Sequence, residues 1–289
     1  MLEHLDWGKR NRMRHIIRED GRVLMLAIDH GYFMGPTTGM EIPSTSIAPL
    51  LPYVDALMLS PGILKTQVSA DLSNIAWVLR ASGCNSILDE DIDNESLILT
   101  ALEAIKMNAS AIAVSIYVGA DHQHQTLKNL AVAIADASQY NLPVLGVTAV
   151  GKKLKDKREK RYLALASRIA AEFGADMVKT YYCEGFEEVV AKTPVPIVVA
   201  GGPKLDTYKD VLELTYQSIQ CGAVGVDMGR NIWQSDYPAA IIQGVRAIIH
   251  ENYSVKEALD LVESLQTEEN RRQPLFAETK EDIEASKIH

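Results

Sequence analysis

Cysteine is scarce in this 289-residue chain, and acidic residues outnumber basic ones. Cys84, Cys183 and Cys221 are odd in number and widely spaced, which fits neither a disulfide framework nor a clustered zinc site. The 29 Lys and Arg against 38 Asp and Glu give a net charge of −9, which disfavours nucleic-acid and anionic-membrane partners. No apolar run reaches the ~18 residues of a membrane span, and no apolar signal region opens the chain. These absences predict a cytoplasmic protein with reduced thiols.

What the chain does contain is ordinary globular material. Hydrophobic residues make up 47% and charged residues 23%, so a sizeable core can form. The length suits one barrel of alternating strands and helices, which needs about 250 residues. No internal repeat or low-complexity linker marks a second domain.

Eight short apolar runs alternate with longer segments of helical periodicity, which is typical of parallel βα units. Most runs are apolar at nearly every position, as expected for strands covered on both faces. Eight units favour a closed (β/α)8 TIM barrel over an open α/β sheet. The predicted strands are Val23–Asp29, Ala56–Ser60, Ala76–Ala81, Ala111–Val118, Val144–Val150, Met177–Tyr181, Ile197–Ala200 and Val224–Met228.

The same pattern predicts the helices and the limits of the barrel. A short basic helix at Trp7–Arg18 precedes the first strand, and the clearest later helices are at Glu95–Asn108, Gln125–Tyr140, Glu159–Phe173 and Tyr208–Cys221. We expect the catalytic barrel to span residues 1–266. The charged segment 267–289 shows no apolar periodicity and is interpreted as a tail or partner arm.

In this architecture the active site lies at the carboxyl ends of the strands. Lys179 ends the buried run that begins at Met177, where partial desolvation favours the neutral amine and Schiff-base attack on a carbonyl. Alternatively, Lys179 is a buried ion-pair partner of Asp29 or Asp227, and the residue pattern does not separate the two readings. Asp29 and His30 could act as general base and acid beside Lys179, or Asp29 could merely cap its loop.

Glycines follow the seventh and eighth strands, where backbone N–H groups can hold a phosphate. Gly201, Gly202 and Gly229 are the candidate positions, with Arg230 as a charged clamp. Tight turn geometry is the alternative reading of these glycines. They favour a phosphorylated small molecule as the ligand. His122 and His124 lack a third ligand nearby, so no metal site is predicted.

Together these residues resemble the DhnA-type class I aldolase family over nearly the whole barrel. The matching segments are Ala27-Ile28-Asp29-His30-Gly31, Val178-Lys179-Thr180-Tyr181, Ala200-Gly201-Gly202 and Gly225-Val226-Asp227-Met228-Gly229-Arg230-Asn231. The resemblance implies that Lys179 is the reactive lysine, that Asp29 is the active-site aspartate and that the glycines of the last two strands form the phosphate site. It also implies a homo-oligomer, a decamer by family resemblance.

Within that family, the run from His30 to Gly39 is most similar to a thiolase branch that processes phosphorylated autoinducer-2. This implies acetyl transfer from 3-hydroxy-2,4-pentanedione 5-phosphate to coenzyme A, giving acetyl-coenzyme A and dihydroxyacetone phosphate. Coenzyme A would be a co-substrate, with no bound cofactor. The cation-rich run Lys152–Arg161 could serve its phosphates, or it could be a solvated helix start.

One departure from the family affects the expected reaction. The family's aldolases carry Tyr-Pro-Arg-Gly after the fifth strand, and that tyrosine donates a proton, whereas this chain reads Thr148-Ala149-Val150-Gly151. Cleavage of a sugar bisphosphate by the family's usual route is therefore less expected than acetyl transfer. A class I sugar-phosphate aldolase (fructose-bisphosphate type or related transaldolase) is the alternative. A non-catalytic sensor of phosphorylated metabolites ranks behind the thiolase and the aldolase, because a sensor would not need the amine of Lys179.

Overall fold

The computed structural model describes residue 3 and residues 5–72, 74–89, 92–150 and 159–272. Eight parallel strands close into a barrel in the order β1-β10-β9-β8-β7-β6-β3-β2, and β4 pairs with β5 in a separate two-stranded sheet. The predicted (β/α)8 barrel is confirmed. The strands are β1 (Val23–Ala27), β2 (Ala56–Leu59), β3 (Ala76–Arg80), β4 (Ser82–Gly83), β5 (Ser96–Leu97), β6 (Ala111–Val118), β7 (Val144–Val150), β8 (Met177–Tyr181), β9 (Ile197–Ala200) and β10 (Gly225–Met228).

Helices cover the outside of the barrel and fill several loops at its ends. The predicted short N-terminal helix is present. A 3-10 turn lies at Leu51–Tyr53. The α-helices are α1 (Trp7–Ile16), α2 (Gly31–Met34), α3 (Pro43–Ile47), α4 (Pro61–Gln67), α5 (Ala101–Lys106), α6 (Gln123–Ser138), α7 (Lys160–Glu172), α8 (Phe186–Ala191), α9 (Tyr208–Gln220), α10 (Arg230–Trp233), α11 (Pro238–Glu251) and α12 (Val255–Arg272).

Each barrel strand divides its side chains between two cores, because successive residues of a strand point to opposite faces. In β1, Leu24 and Leu26 pack outward against the helices, while Met25 and Ala27 pack inside the barrel. The inner core also contains Met58, Val78 and Met177 from other strands. Burial on both faces explains why the strands read as continuous apolar runs.

The helix predicted at Glu95–Asn108 is wrong at its start. Ser96 and Leu97 form β5 and pair with β4, and the helix begins only at Ala101. Thr100 caps that helix, since its side chain accepts from the Glu103 backbone while the Glu103 carboxylate accepts from the Thr100 backbone. Glu95 therefore lies in the loop before the helix.

Helix α12 continues to Arg272, the last described residue, so it passes the expected barrel limit at residue 266. Residues 273–289, the rest of the predicted tail, lie outside the described residues. In the part of the chain that the structure describes, no helix is long and apolar enough to cross a membrane.

Candidate active site

The inner faces of the strands become polar at their carboxyl ends. Four strands place an apolar side chain inside the barrel, namely Ala27, Val78, Ala113 and Met177. Because side chains alternate along a strand, the residue two positions later also faces the interior, and in each case it is polar. These side chains, on β3, β6 and β8 and just after β1, are buried, and Asp227 of β10 joins them. The polar layer consists of Asp29, Arg80, Ser115, Lys179 and Asp227.

Lys179 is paired with Asp227 inside this layer. The lysine Nζ lies 2.8 Å from Asp227 Oδ2, and both residues are buried. Burial raises the pKa of Asp227, although the charge of Lys179 opposes the rise. A carboxylate with a raised pKa is a better proton acceptor than an ordinary one, so Asp227 is positioned to exchange a proton with the Lys179 nitrogen. The ion pair that the sequence left open is thus present, and its partner is Asp227.

Asp29 is held by Arg80 in the same layer. Arg80 Nε and Nη2 donate to Asp29 Oδ2 at 2.9 and 2.6 Å, and Arg80 Nη1 donates to Ser115 Oγ at 2.7 Å. Burial alone would raise the pKa of Asp29, but the charges of Arg80 and Lys179 outweigh it and lower the pKa. Asp29 is therefore a permanent carboxylate near the lysine at neutral pH.

His30 follows Asp29 and lies against it. Its Nδ1 is buried 3.7 Å from Asp29 Oδ1 and has no hydrogen-bond partner among the described residues. Burial lowers the pKa of His30 to about 4, despite the opposing charge of Asp29. The imidazole is therefore neutral at physiological pH and can accept a proton from a bound substrate.

The glycine turns after β9 and β10 meet at one side of this layer. Arg230 Nη2 donates to the Gly202 carbonyl at 3.1 Å, and Asn231 Nδ2 donates to the Gly201 carbonyl at 2.9 Å. Gly202 has φ +72°, a left-handed conformation that favours glycine. A Cβ on Gly229 would lie 2.6 Å from the Ala27 carbonyl oxygen. The structure thus brings the four predicted phosphate residues together.

Arg230 retains unused capacity for an anion. Its Nε is buried and has no hydrogen-bond partner among the described residues. A buried guanidinium N–H without an acceptor is costly, and a phosphate oxygen would satisfy it. This orphan donor supports the phosphate reading over a purely conformational role for the adjacent glycines.

Glu95 is the residue of this end of the barrel that the sequence interpretation missed. It is fully buried, and its carboxylate accepts hydrogen bonds from Tyr32 (2.8 Å), Tyr117 (3.2 Å) and Ser82 (2.5 Å). The sequence interpretation placed Glu95 only as the first residue of a helix. The capping pair Thr100 and Glu103 was the available signal, because it fixes the helix start at Ala101.

Other candidate residues are not part of this layer. His122 precedes α6, and among the described residues no group of three or more His, Cys, Asp or Glu could hold a metal ion. Thr148 Oγ1 donates to Thr180 Oγ1 at 2.9 Å. Most of the run Lys152–Arg161 falls in residues 151–158, outside the described residues.

Comparisons with known proteins identify the family of this chain. The chain is 49% identical over 259 residues to proteins of Yersinia pseudotuberculosis and Yersinia pestis named 3-hydroxy-5-phosphonooxypentane-2,4-dione thiolase, covering 89% of this chain and 87% of theirs. An archaeal fructose 1,6-bisphosphate aldolase is 25% identical with a TM-score of 0.74, covering 83% of this chain and 98% of that one. A fructose-bisphosphate aldolase of Slackia heliotrinireducens, 20% identical with a TM-score of 0.76 over 89% of this chain and 90% of that one, shares the fold. Residues 23–235 match the DeoC/LacD family aldolase domain, and the chain therefore belongs to that family.

Proposed function

We propose that this protein is a thiolase that uses Lys179 to form a Schiff base with 3-hydroxy-5-phosphonooxypentane-2,4-dione. It passes the acetyl group to coenzyme A and releases dihydroxyacetone phosphate. The observation that carries the proposal is the buried Lys179 amine on β8, 2.8 Å from Asp227. The names of the Yersinia relatives support the substrate.

The lysine supplies the electron sink for carbon–carbon cleavage. Its amine adds to C4, the carbonyl beside the phosphate-bearing carbon, and loss of water gives a protonated imine. The thiolate of coenzyme A then attacks C2, the C2–C3 bond breaks, and its electrons move to the imine nitrogen to form an enamine. Protonation of C3 and hydrolysis of the imine release dihydroxyacetone phosphate. This route requires no metal.

The neighbouring groups have roles that follow from their charges. Asp227 takes the proton from the Lys179 ammonium, and the Asp29 carboxylate stabilises the protonated imine. The neutral His30 accepts and returns protons during formation and hydrolysis of the imine. Gly201, Gly202, Gly229 and Arg230 hold the substrate phosphate through backbone N–H groups and the guanidinium. These four residues bind the substrate and take no part in bond breaking.

Borohydride trapping tests the proposal. Incubation with dihydroxyacetone phosphate and borohydride should attach the three-carbon phosphate to Lys179, and peptide mass analysis should find it there. Lys179→Met should keep the fold, lose the label and produce no acetyl-coenzyme A from the diketone phosphate. Lys65→Met, which removes an amine from helix α4, is the matched control and should label normally. A label on another lysine, or none at all, would refute the proposal.

A class I sugar-phosphate aldolase is the second candidate. It is favoured by the likeness to a Schiff-base-forming fructose-1,6-bisphosphate aldolase, which is 25% identical with a TM-score of 0.75. Both candidates use the same lysine, so substrate comparison separates them. A cytoplasmic location and assembly into a homo-oligomer stay predictions, the first because coenzyme A is an intracellular co-substrate and the second from the family resemblance.

A further inference from the structure

The proposed cleavage leaves an enamine whose C3 needs a proton, and the groups of the polar layer are engaged elsewhere. Asp227, whose pKa is raised by burial, lies 2.8 Å from the Lys179 nitrogen and exchanges its proton there. Asp29 has a lowered pKa, and its Oδ2 already accepts two hydrogen bonds from Arg80. His30, with a pKa of about 4, is neutral. The segment Thr148–Val150 carries neither a phenol nor a carboxyl group. A donor is therefore needed from another strand.

Tyr117 occupies the right level of the barrel. In the strand register, Ser115 pairs with Val147, and Val147 pairs with Lys179, which places these three residues on one level. Tyr117 pairs with Ala149, two residues further towards the carboxyl end, at a rise of about 6.6 Å above that level. Because side chains alternate, Tyr117 shares the inward orientation of Ser115, whose hydroxyl accepts from Arg80.

Tyr117 also has a proton acceptor behind it. The half-buried phenol donates to Glu95 Oε1 at 3.2 Å, whereas Glu95 itself is fully buried. Burial and the charge of Glu95 raise the pKa of Tyr117, so the free phenolate is disfavoured. A phenol in this setting transfers protons in concert: it gives its own proton to the carboxylate as it takes another from the substrate.

We infer that Tyr117 is the catalytic acid–base group at C3 and that Glu95 is the positioning residue that exchanges protons with it; this inference rests on the proposed function. In the proton-abstracting direction, the C3–H bond of the imine breaks and its proton moves to the Tyr117 oxygen. The phenol proton moves to the Glu95 carboxylate, the C3–H electron pair becomes the C3=C4 bond, and the imine π electrons move to nitrogen. Protonation of the enamine is the reverse of this step.

Tyr32 offers a matched comparison. Its hydroxyl donates to the same Glu95 oxygen at 2.8 Å, so its removal deprives Glu95 of the same kind of hydrogen bond. The Arg80 Cζ atom lies 5.2 Å from the centroid of the Tyr32 ring. Tyr32 belongs to helix α2, which follows β1, and not to the strand that pairs with Ala149. Tyr32→Phe therefore removes one of the two tyrosine hydroxyl groups that bond to Glu95 but keeps the proposed acid–base group, Tyr117.

Hydrogen exchange of dihydroxyacetone phosphate tests the inference without coenzyme A or the diketone. In D₂O, the wild-type protein should replace a hydrogen on the hydroxymethyl carbon by deuterium, as followed by NMR. Tyr117→Phe should slow this exchange at least about 100-fold. Borohydride labelling of Lys179 should stay within about threefold of wild type. Tyr32→Phe should slow exchange less than about fivefold.

Glu95→Gln provides a second variant if Tyr117→Phe does not fold. Its amide oxygen can still accept the tyrosine hydrogen bonds, but the amide cannot take up a proton. The ratio of the hydrogen-exchange rate to the extent of Lys179 labelling should fall at least about tenfold. A merely structural role of Glu95 would lower both quantities together and leave this ratio unchanged. Normal hydrogen exchange in Tyr117→Phe, or in Glu95→Gln, would overturn the proton relay. If Lys179 is still labelled in that variant, the proposed function is not affected by this result. Absence of labelling in the wild type would refute both.

Discussion

Replacing Arg80 by methionine should destabilise the fold by about 3–5 kcal/mol, because the change leaves a buried carboxylate without its counter-charge. Arg80 and Asp29 are each only 4% exposed. Two guanidinium nitrogens donate to Asp29 Oδ2 at 2.9 and 2.6 Å, and a third donates to Ser115. Methionine fills much of the same space but supplies neither the charge nor the donors.

The loss should depend on pH in a defined direction. In the wild type, burial acts to raise the pKa of Asp29, but Arg80 and Lys179 lower it overall. A lowered carboxyl pKa stabilises the fold above the unfolded pKa of about 4, and this contribution disappears as the pH falls through the folded value. Without Arg80, its largest opposing charge is lost, and we expect burial to raise the pKa of Asp29. The destabilisation of Arg80→Met relative to wild type should therefore be full at pH 7 and smaller at pH 5.

Urea unfolding followed by circular dichroism at both pH values measures the effect. Asp29→Asn in the Arg80→Met background should recover part of the loss, since it removes the unpaired charge. Arg168→Met is the matched control, because Arg168 pairs with Glu172 on the exposed face of α7 and its loss should cost less than about 1 kcal/mol. A cost below about 1 kcal/mol for Arg80→Met, or an equal cost at pH 7 and pH 5, would refute the reasoning.

Three further predictions address the phosphate site, the opposite end of the barrel and the reaction type. Arg230→Ala should weaken dihydroxyacetone phosphate about 10-fold to 100-fold, but dihydroxyacetone less than about twofold, in the concentration dependence of borohydride labelling; equal weakening would place the phosphate elsewhere. His250 lies between Asp20 (2.6 Å) and Asp55 (2.8 Å), whose hydrogen bonds outweigh burial and raise its pKa. Its contribution is therefore present below the unfolded pKa of about 6.5 and lost as the pH rises through the folded value, so His250→Asn should cost more stability in urea unfolding at pH 6 than at pH 9, and the opposite order would contradict this. Finally, kcat/KM for thioester formation from the diketone phosphate should exceed that for fructose-bisphosphate cleavage at least about 100-fold, and comparable values would restore the aldolase alternative.

The barrel could be predicted from the sequence because its strands are buried on both faces. Runs such as Val23–Ala27 and Ile197–Ala200 are apolar on both faces, and the strand bounds in the structure agree with those predicted within about two residues. The predicted start of the helix at Glu95 failed for a local reason. An acidic residue before an apolar segment also suits a helix N-terminus, and the short pairing of β4 with β5 is not visible as a pattern of hydrophobicity.

The partners within the site could not be predicted, because they depend on the register between distant strands. Lys179 pairs with Val198 of β9, and Ala200 of β9 pairs with Asp227 of β10. This stagger brings Asp227 to the lysine amine and leaves Asp29 to Arg80. The sequence placed both aspartates at strand ends but contained no information on which of them reaches Lys179.

That division gives the two aspartates different chemistry around one lysine. Arg80 keeps the pKa of Asp29 low, whereas burial raises the pKa of Asp227. Groups whose surroundings push their pKa values apart can serve opposite tasks in one reaction. In the proposed reaction, Asp227 can take and return the Lys179 proton as the imine forms and hydrolyses. Asp29 stays charged and stabilises the protonated imine, so carbon–carbon cleavage needs a separate proton donor at C3, the part we assign to Tyr117.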